Sequence, residues 1–216
     1  MALETLQLFI GLATYIQVVT FLISLLTWNK YKHTRLKYLP ILLGLNAFLE
    51  FFCYHFYKQD NAWLYNIKSL FEFNFLCFIF FGYLAGLTKK ISWGLIVLYN
   101  LAFLFIQTIS QGFQPFLMPY TYVLSSIIFI IIIMMVFNEM LKLEGIEGIT
   151  KNLLFWIAAG YFVFYATSFP IFSISNLKEV LGSFQVQAVK VLLFAVLIMH
   201  TIFIIGFLWS KKKYSY

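Results

Sequence analysis

The sequence predicts an all-α protein, a polytopic membrane protein whose single domain, residues 1–216, is a bundle of seven transmembrane helices. Hydrophobic residues make up 62% of the chain and charged residues only 11%, far from the averages of soluble proteins. Seven apolar stretches reach the ~20 residues that a helix needs to cross ~30 Å of hydrocarbon. Runs such as Ile127–Val136 lack the alternation typical of a lipid-facing barrel strand.

The seven predicted spans follow one another with short connections, none of which could form a catalytic or ligand-binding domain of its own. In chain order they are Leu6–Trp28, Leu39–Tyr57, Trp63–Leu87, Ile91–Ile109, Pro119–Leu141, Leu153–Ser173 and Phe184–Trp209. The first follows Met-Ala-Leu-Glu without the basic region of a removable signal peptide, so we expect it to be a retained signal anchor. Tyr and Trp recur at span ends, as in an interfacial aromatic belt.

Basic residues fall mainly in every second connection, which predicts the orientation of the chain. They are Lys30, Lys32, Arg35 and Lys37 after the first span, Lys89 and Lys90 after the third, Lys142 and Lys151 after the fifth, and Lys211, Lys212 and Lys213 in the tail. By the positive-inside rule, the N-terminus is predicted to lie outside and the C-terminus in the cytoplasm. The predicted location is the inner (plasma) membrane of the cell. The net charge of +7 then indicates attraction to membrane lipids, and no nucleic-acid partner is expected.

Ionisable side chains inside the spans are the strongest functional signal, because a charge at the bilayer centre costs about 2.5–3.5 kcal/mol unless it is paired or has a function. Five lie in the predicted outer half: Glu50, His55, Lys68, Glu72 and Lys190. Tyr65, Lys68 and Glu72 share one face of the third helix, and Asn46 and Glu50 share one face of the second. We expect Lys68 and Glu72 to pair, with Glu50 or Lys190 close enough to join them.

Polar neighbours at similar depth extend this cluster into a predicted polar cavity that opens outward. The predicted ligand-binding residues are Glu50, His55, Lys68, Glu72, Gln107, Tyr122, Gln187 and Lys190. A buried clamp that only fixes helix register is an alternative, as is an ion or substrate pathway. A pathway needs polar residues in both halves, whereas the cytoplasmic half offers little beyond Asn100, Asn152, Trp156 and His200, so the asymmetry favours a pocket.

Catalytic residues, cofactors and a metal site are not predicted. Cys53 and Cys77 lie at membrane depth and are expected to be buried free thiols, and no paired Cys/His spacing appears. Lys190 in the last helix resembles the Schiff-base lysine of retinal proteins, but Val186 stands where an Asp is expected four residues earlier. A membrane-embedded enzyme using Glu50 and His55 is a third option without a nucleophile or metal motif.

Several short motifs resemble an uncharacterised family of small seven-helix proteins of Bacteroidota. They are Lys37-Tyr38-Leu39-Pro40 leading to Glu50, Leu64-Tyr65-Asn66-Ile67, Phe155-Trp156 with Gly160, and Gly206-Phe207. The resemblance implies a stand-alone relative of the seven-helix input modules of histidine kinases, although this chain carries no kinase domain.

The sequence therefore predicts a membrane sensor or signalling component with an outward-facing polar pocket, with a small transporter or channel component as the alternative. The connection Asn138–Asn152 carries mixed charge and is the predicted surface for a cytoplasmic signalling partner, unless it is only a solvated loop.

Overall fold

The computed structural model describes residues 2–56, 62–109, 119–175 and 183–211, and over these ranges the chain is helical without strands. Its α-helices are α1 (Ala2–Leu26), α2 (Leu39–His55), α3 (Ala62–Phe80), α4 (Gly86–Ile109), α5 (Pro119–Ile149), α6 (Leu153–Ser175) and α7 (Ser183–Trp209). All seven are long and apolar enough to cross a membrane. The predicted seven-helix bundle is confirmed, and the chain is a multi-pass membrane protein.

The predicted spans differ most from the helices at two connections, because hydropathy marks where an apolar stretch ends and not where the helix ends. The third span was expected to reach Leu87, yet α3 gives way to a 3₁₀ turn at Phe81–Tyr83 and α4 begins at Gly86. Gly86 has a φ of +51°, which glycine adopts without steric cost, so the chain turns there. At the other boundary, α5 continues to Ile149, and most of the expected loop Asn138–Asn152 is helical.

Six of the helices form a closed ring, in which α1 packs on α2, α2 on α3, α3 on α5, α5 on α6, α6 on α7 and α7 on α1. The remaining helix, α4, packs on the outside of α5. It is also held to α3 by the side-chain amides of Asn74 and Asn100, which exchange hydrogen bonds of 3.1 and 2.9 Å. Such amide pairs are a common means of joining helices in apolar surroundings.

Basic side chains gather where α1, α3, α5 and α7 end, which we call the basic end of the bundle. They are Lys30, Lys32, Arg35, Lys37, Lys89, Lys90, Lys142, Lys151 and Lys211. The Lys30 ammonium donates hydrogen bonds to the carbonyls of Phe207 (2.8 Å) and Leu208 (3.0 Å). Arg35 donates to the carbonyl of Phe78 at 3.1 Å. The last four carbonyls of a helix have no partner within that helix. The three carbonyls contacted here are of this kind, so the basic side chains satisfy them at the ends of α7 and α3.

The half of the bundle next to the basic end is filled by apolar side chains. Its fully buried residues include Leu39, Leu42, Leu76, Ile79, Phe80, Ile133, Val136, Leu154, Ile157 and Phe207. The hydroxyls of Thr20 and Ser24 in α1 donate to carbonyls one turn earlier in the same helix, so they have partners within α1. This half is therefore a core of apolar side chains beneath the polar region described next.

Candidate functional site

A cavity of about 390 Å³ lies in the half of the bundle opposite the basic end. Its lining residues come from the later parts of α2 and α6 and the earlier parts of α3, α5 and α7, and it reaches the middle of α1. Every helix of the ring contributes to it, whereas α4 contributes no described lining residue. Its volume is within the range of pockets that hold small molecules.

An ion pair between α2 and α3 forms the charged wall of the cavity. The Lys68 ammonium lies 2.7 Å from one carboxylate oxygen of Glu50, and the Tyr65 hydroxyl donates to the other at 3.0 Å. Both oxygens of Glu50 are thus engaged. The side chains of Lys68 and Glu50 nevertheless keep 14% and 23% of their surface exposed, because they face the cavity instead of being packed on all sides.

A second carboxylate, Glu72, lies one turn deeper on the same face of α3. Among the described residues, it has no cationic group within the 4.0 Å of an ion pair, and Lys68 acts on it only as a nearby charge. The side chain of Asn46 in α2 and the rings of Tyr122 and Tyr165 line the same cavity as Glu72.

Lys68 therefore forms its direct ion pair with Glu50 and not with Glu72, as had been expected. The geometry of α3 explains the difference. Side chains of a helix lean toward its N-terminus, so Lys68 points away from Glu72, which follows it by four residues. A lysine four residues before a glutamate is also the weaker order for such a pair. Glu50 on the neighbouring helix takes its place.

The other walls of the cavity are apolar. Aromatic side chains from α5 and α6 form one of them, with the Tyr122 and Phe172 rings 4.3 Å apart between centroids. One face of α7 forms the other, contributed by Val189, Leu192, Leu193 and Val196. The cavity is thus amphipathic, with charge on α2 and α3 and hydrocarbon opposite.

His200 and Gln17 line the deepest part of the cavity, near the middle of the bundle. His200 is 3% exposed, and its Nδ1 lies 3.1 Å from the Thr20 hydroxyl oxygen of α1. The Gln17 amide donates to the carbonyl of Ala13 at 3.1 Å. Each of these two polar side chains thus has a hydrogen-bonding partner within the bundle.

Of the eight predicted ligand-binding residues, the structure brings four together at this cavity: Glu50, Lys68, Glu72 and Tyr122. Lys190 and Gln187 lie on α7 at the expected depth but not on its lining face. Lys190 follows Val189 and is turned from it by about 100°, and Gln187, two residues before Val189, is on nearly the opposite side and exposed.

His55 and Gln107 also lie apart from the cavity. His55 follows Glu50 by five residues, which turns it by about 140° to the outside of α2, where it contacts the rings of Phe51 and Tyr54. Gln107 belongs to α4, outside the ring. These two residues, like Lys190 and Gln187, are thus not among the described residues that line the cavity.

Sequence reasoning did not assign His200 to the site and overlooked Gln17 and Thr121, which also line the cavity. A signal for Gln17 was present, since Thr14, Gln17, Thr20 and Ser24 recur every three or four residues along α1. All four are buried, so this polar stripe marks the inner face of the helix.

The cavity offers charge, hydrogen bonds and aromatic faces. Over the described ranges no group of three or more His, Cys, Asp or Glu side chains could hold a metal ion. Comparison of the chain with protein-family models, with curated proteins and with solved structures gives no match.

Proposed function

We propose that this chain is a membrane sensor or signalling component that binds a small molecule in the cavity. The observation that carries the proposal is the confinement of the cavity to one half of the bundle. The other half is filled by buried apolar side chains such as Leu76, Ile133 and Phe207. A conduit needs a polar route through both halves, whereas a one-sided pocket suits a receptor.

The exposure of the charged residues supports a binding pocket over a purely structural clamp. A clamp is most stable when its charges are packed and fully hydrogen-bonded, because desolvation of a buried ion pair is costly. Here the Lys68 and Glu50 side chains keep part of their surface open to a cavity. Glu72 lines the same space without a direct cationic partner among the described residues.

The helix α7 connects the pocket to the opposite side of the membrane, so that binding of a ligand would change contacts at the basic end. Its first half lines the cavity, and its last turn accepts the hydrogen bonds of Lys30 at the basic end. Just beyond the helix, the backbone N–H of Lys211 donates to the carbonyl of Lys151, before α6. A shift of α7 on ligand binding would therefore move contacts with two other segments.

The proposal places the protein in the inner (plasma) membrane, with the basic end in the cytoplasm and the pocket facing out. The lysine distribution supports this orientation. A cytoplasmic signalling partner would then meet the basic end, where α5 extends past its membrane span to Ile149. The resemblance to histidine-kinase input modules fits the same arrangement.

Reporter fusions test the proposed orientation. We expect a reporter that works only in the cytoplasm to be active after Tyr216, and one that works only outside to be active within Gln111–Phe116, because basic residues are retained on the cytoplasmic side. Both fusion points lie outside the described residues. The reverse pattern of activity would overturn the orientation and would place the pocket on the cytoplasmic side.

Thiol labelling tests the pocket itself. In a variant with Cys53 and Cys77 replaced by Ala, we expect Leu193→Cys to react with a small polar thiol reagent at least tenfold faster than Phe194→Cys. Leu193 lines the cavity, whereas the adjacent Phe194 is 55% exposed on the outer surface of α7, at the same depth but in lipid. The thiolate that reacts forms in water and is disfavoured in hydrocarbon.

The side from which the reagent enters separates the two function classes. Applied to sealed vesicles of either orientation, an impermeant reagent should reach Leu193→Cys from the outer face alone if the pocket belongs to a sensor. Labelling from both faces would favour the transporter, and equal rates at the two positions would show a dry clamp and refute the sensor.

A further inference from the structure

The charge of the cavity indicates which ligands it would take. Its described lining residues include two carboxylates, Glu50 and Glu72, and one ammonium, Lys68. With both carboxyl groups ionised and His200 neutral, the described lining residues carry one more negative charge than positive charge. Because Lys68 already pairs with Glu50 at 2.7 Å, Glu72 is the carboxyl group that a charged ligand would contact.

An anionic ligand is poorly suited to this arrangement. At Lys68 it would lie beside the Glu50 carboxylate, whose two oxygens accept hydrogen bonds from Lys68 and Tyr65 and whose negative charge would repel it. It would also lie close to Glu72, and repulsion between like charges is strong where little water screens them. A cation avoids both costs.

The surroundings of Glu72 suit an organic cation in particular. Tyr122 and Tyr165 line the same cavity as Glu72. A carboxylate beside aromatic rings binds ammonium groups through ionic and cation–π attraction together. The apolar face of α7, including Leu193 and Val196, is positioned to cover a hydrocarbon portion of the same ligand.

We propose that the cavity binds a small amphiphilic organic cation, an ammonium group at Glu72 with an apolar body against α7. This inference rests on the proposed function and adds the chemical class of the ligand. The volume of about 390 Å³ fits a small molecule and not a lipid or a folded peptide.

The test uses the whole chain in lipid nanodiscs and three probes that share a phenethyl group: phenethyltrimethylammonium, its neutral tert-butyl analogue and 3-phenylpropanoate. We expect the ammonium to bind at least tenfold more tightly than the other two by calorimetry, because only a cation is attracted both to the Glu72 carboxylate and to the tyrosine rings. Glu72→Gln should lose at least tenfold of that affinity. Glu139→Gln, an acidic residue at the far end of α5, should keep it.

A second variant, Leu193→Trp, fills the cavity from the apolar side and should also abolish binding, which keeps the test valid if Glu72→Gln does not fold. Equal binding of the three probes, or no binding of the ammonium, would overturn the inference. The thiol-labelling result separates the two levels of the argument. Fast labelling of Leu193→Cys without ammonium binding rejects only the ligand class, whereas slow labelling rejects the pocket and with it the sensor.

Discussion

Lys68→Met is expected to destabilise the protein by about 3 kcal/mol, because it leaves Glu50 and Glu72 facing each other without a cation. Removing one partner of a buried ion pair typically costs about 3–5 kcal/mol, and the partial exposure of this pair to the cavity places it at the lower end. For a protein of this size that corresponds to a fall in melting temperature of roughly 6–12 °C. Thermal unfolding of the purified protein in detergent measures it.

Glu50→Gln is expected to be milder, costing about 1 kcal/mol. The glutamine oxygen still accepts the hydrogen bond of Tyr65, and Lys68 keeps Glu72 as a neighbouring negative charge. The double variant should then be more stable than Lys68→Met alone, because it removes the unpaired Glu50 charge as well. Simple addition of the two single effects would contradict direct pairing of Lys68 with Glu50.

The matched control is a second lysine–glutamate pair at the basic end. Lys142 lies 3.2 Å from Glu139, and its side chain is 58% exposed, whereas Glu139 is 14% exposed and also accepts a hydrogen bond from the Thr88 hydroxyl at 3.0 Å, which it keeps when Lys142 is replaced. Exposed pairs contribute about 0–1 kcal/mol, so Lys142→Met should change the melting temperature by no more than 4 °C. If Lys142→Met lowered the melting temperature as much as Lys68→Met, burial of the Lys68–Glu50 pair would not be the cause of the effect of Lys68→Met.

Depth in the membrane could be predicted from the sequence because it follows from counting residues along each span. At 1.5 Å per residue, the position of Glu50, Lys68 or Lys190 within its helix fixes its height once the ends of the span are known. The structure places the Glu50 and Lys68 side chains at one height, where they meet. Height alone, however, does not say which way a side chain points.

Direction around the helix axis could be predicted only where polar and apolar residues segregate. In α3 the polar residues Tyr65, Lys68 and Glu72 lie on one face, and that face lines the cavity. In α7 the polar residues do not gather on one face, so nothing in the sequence indicates the direction in which Lys190 or Gln187 points. Lipid and helix neighbours are equally apolar, and packing alone decides the rotation of such a helix.

A second large effect is expected at Gly206, where α7 packs closely against Trp156 of α6. A Cβ atom added at this position would lie 2.3 Å from the Cβ of Trp156. Because that carbon is fixed to the α6 backbone, a change of side-chain rotamer cannot relieve the clash, and the two helices must separate. Overpacking of this kind costs about 1–3 kcal/mol. We therefore expect Gly206→Ala to lower the melting temperature by several degrees, measured as above.

The control for Gly206→Ala is Gly94→Ala in α4, where an added Cβ would meet no atom within 4 Å. Alanine favours a helix over glycine by up to about 1 kcal/mol, so this variant should be as stable as the original protein or slightly more stable. Equal stability of Gly206→Ala and Gly94→Ala would mean that α6 and α7 are not in the described contact. Because Gly206 lies beyond the part of α7 that lines the cavity, a destabilised Gly206→Ala protein should still label at Leu193→Cys. Loss of that labelling would instead show that the added methyl group displaces the whole of α7, including the part that lines the cavity.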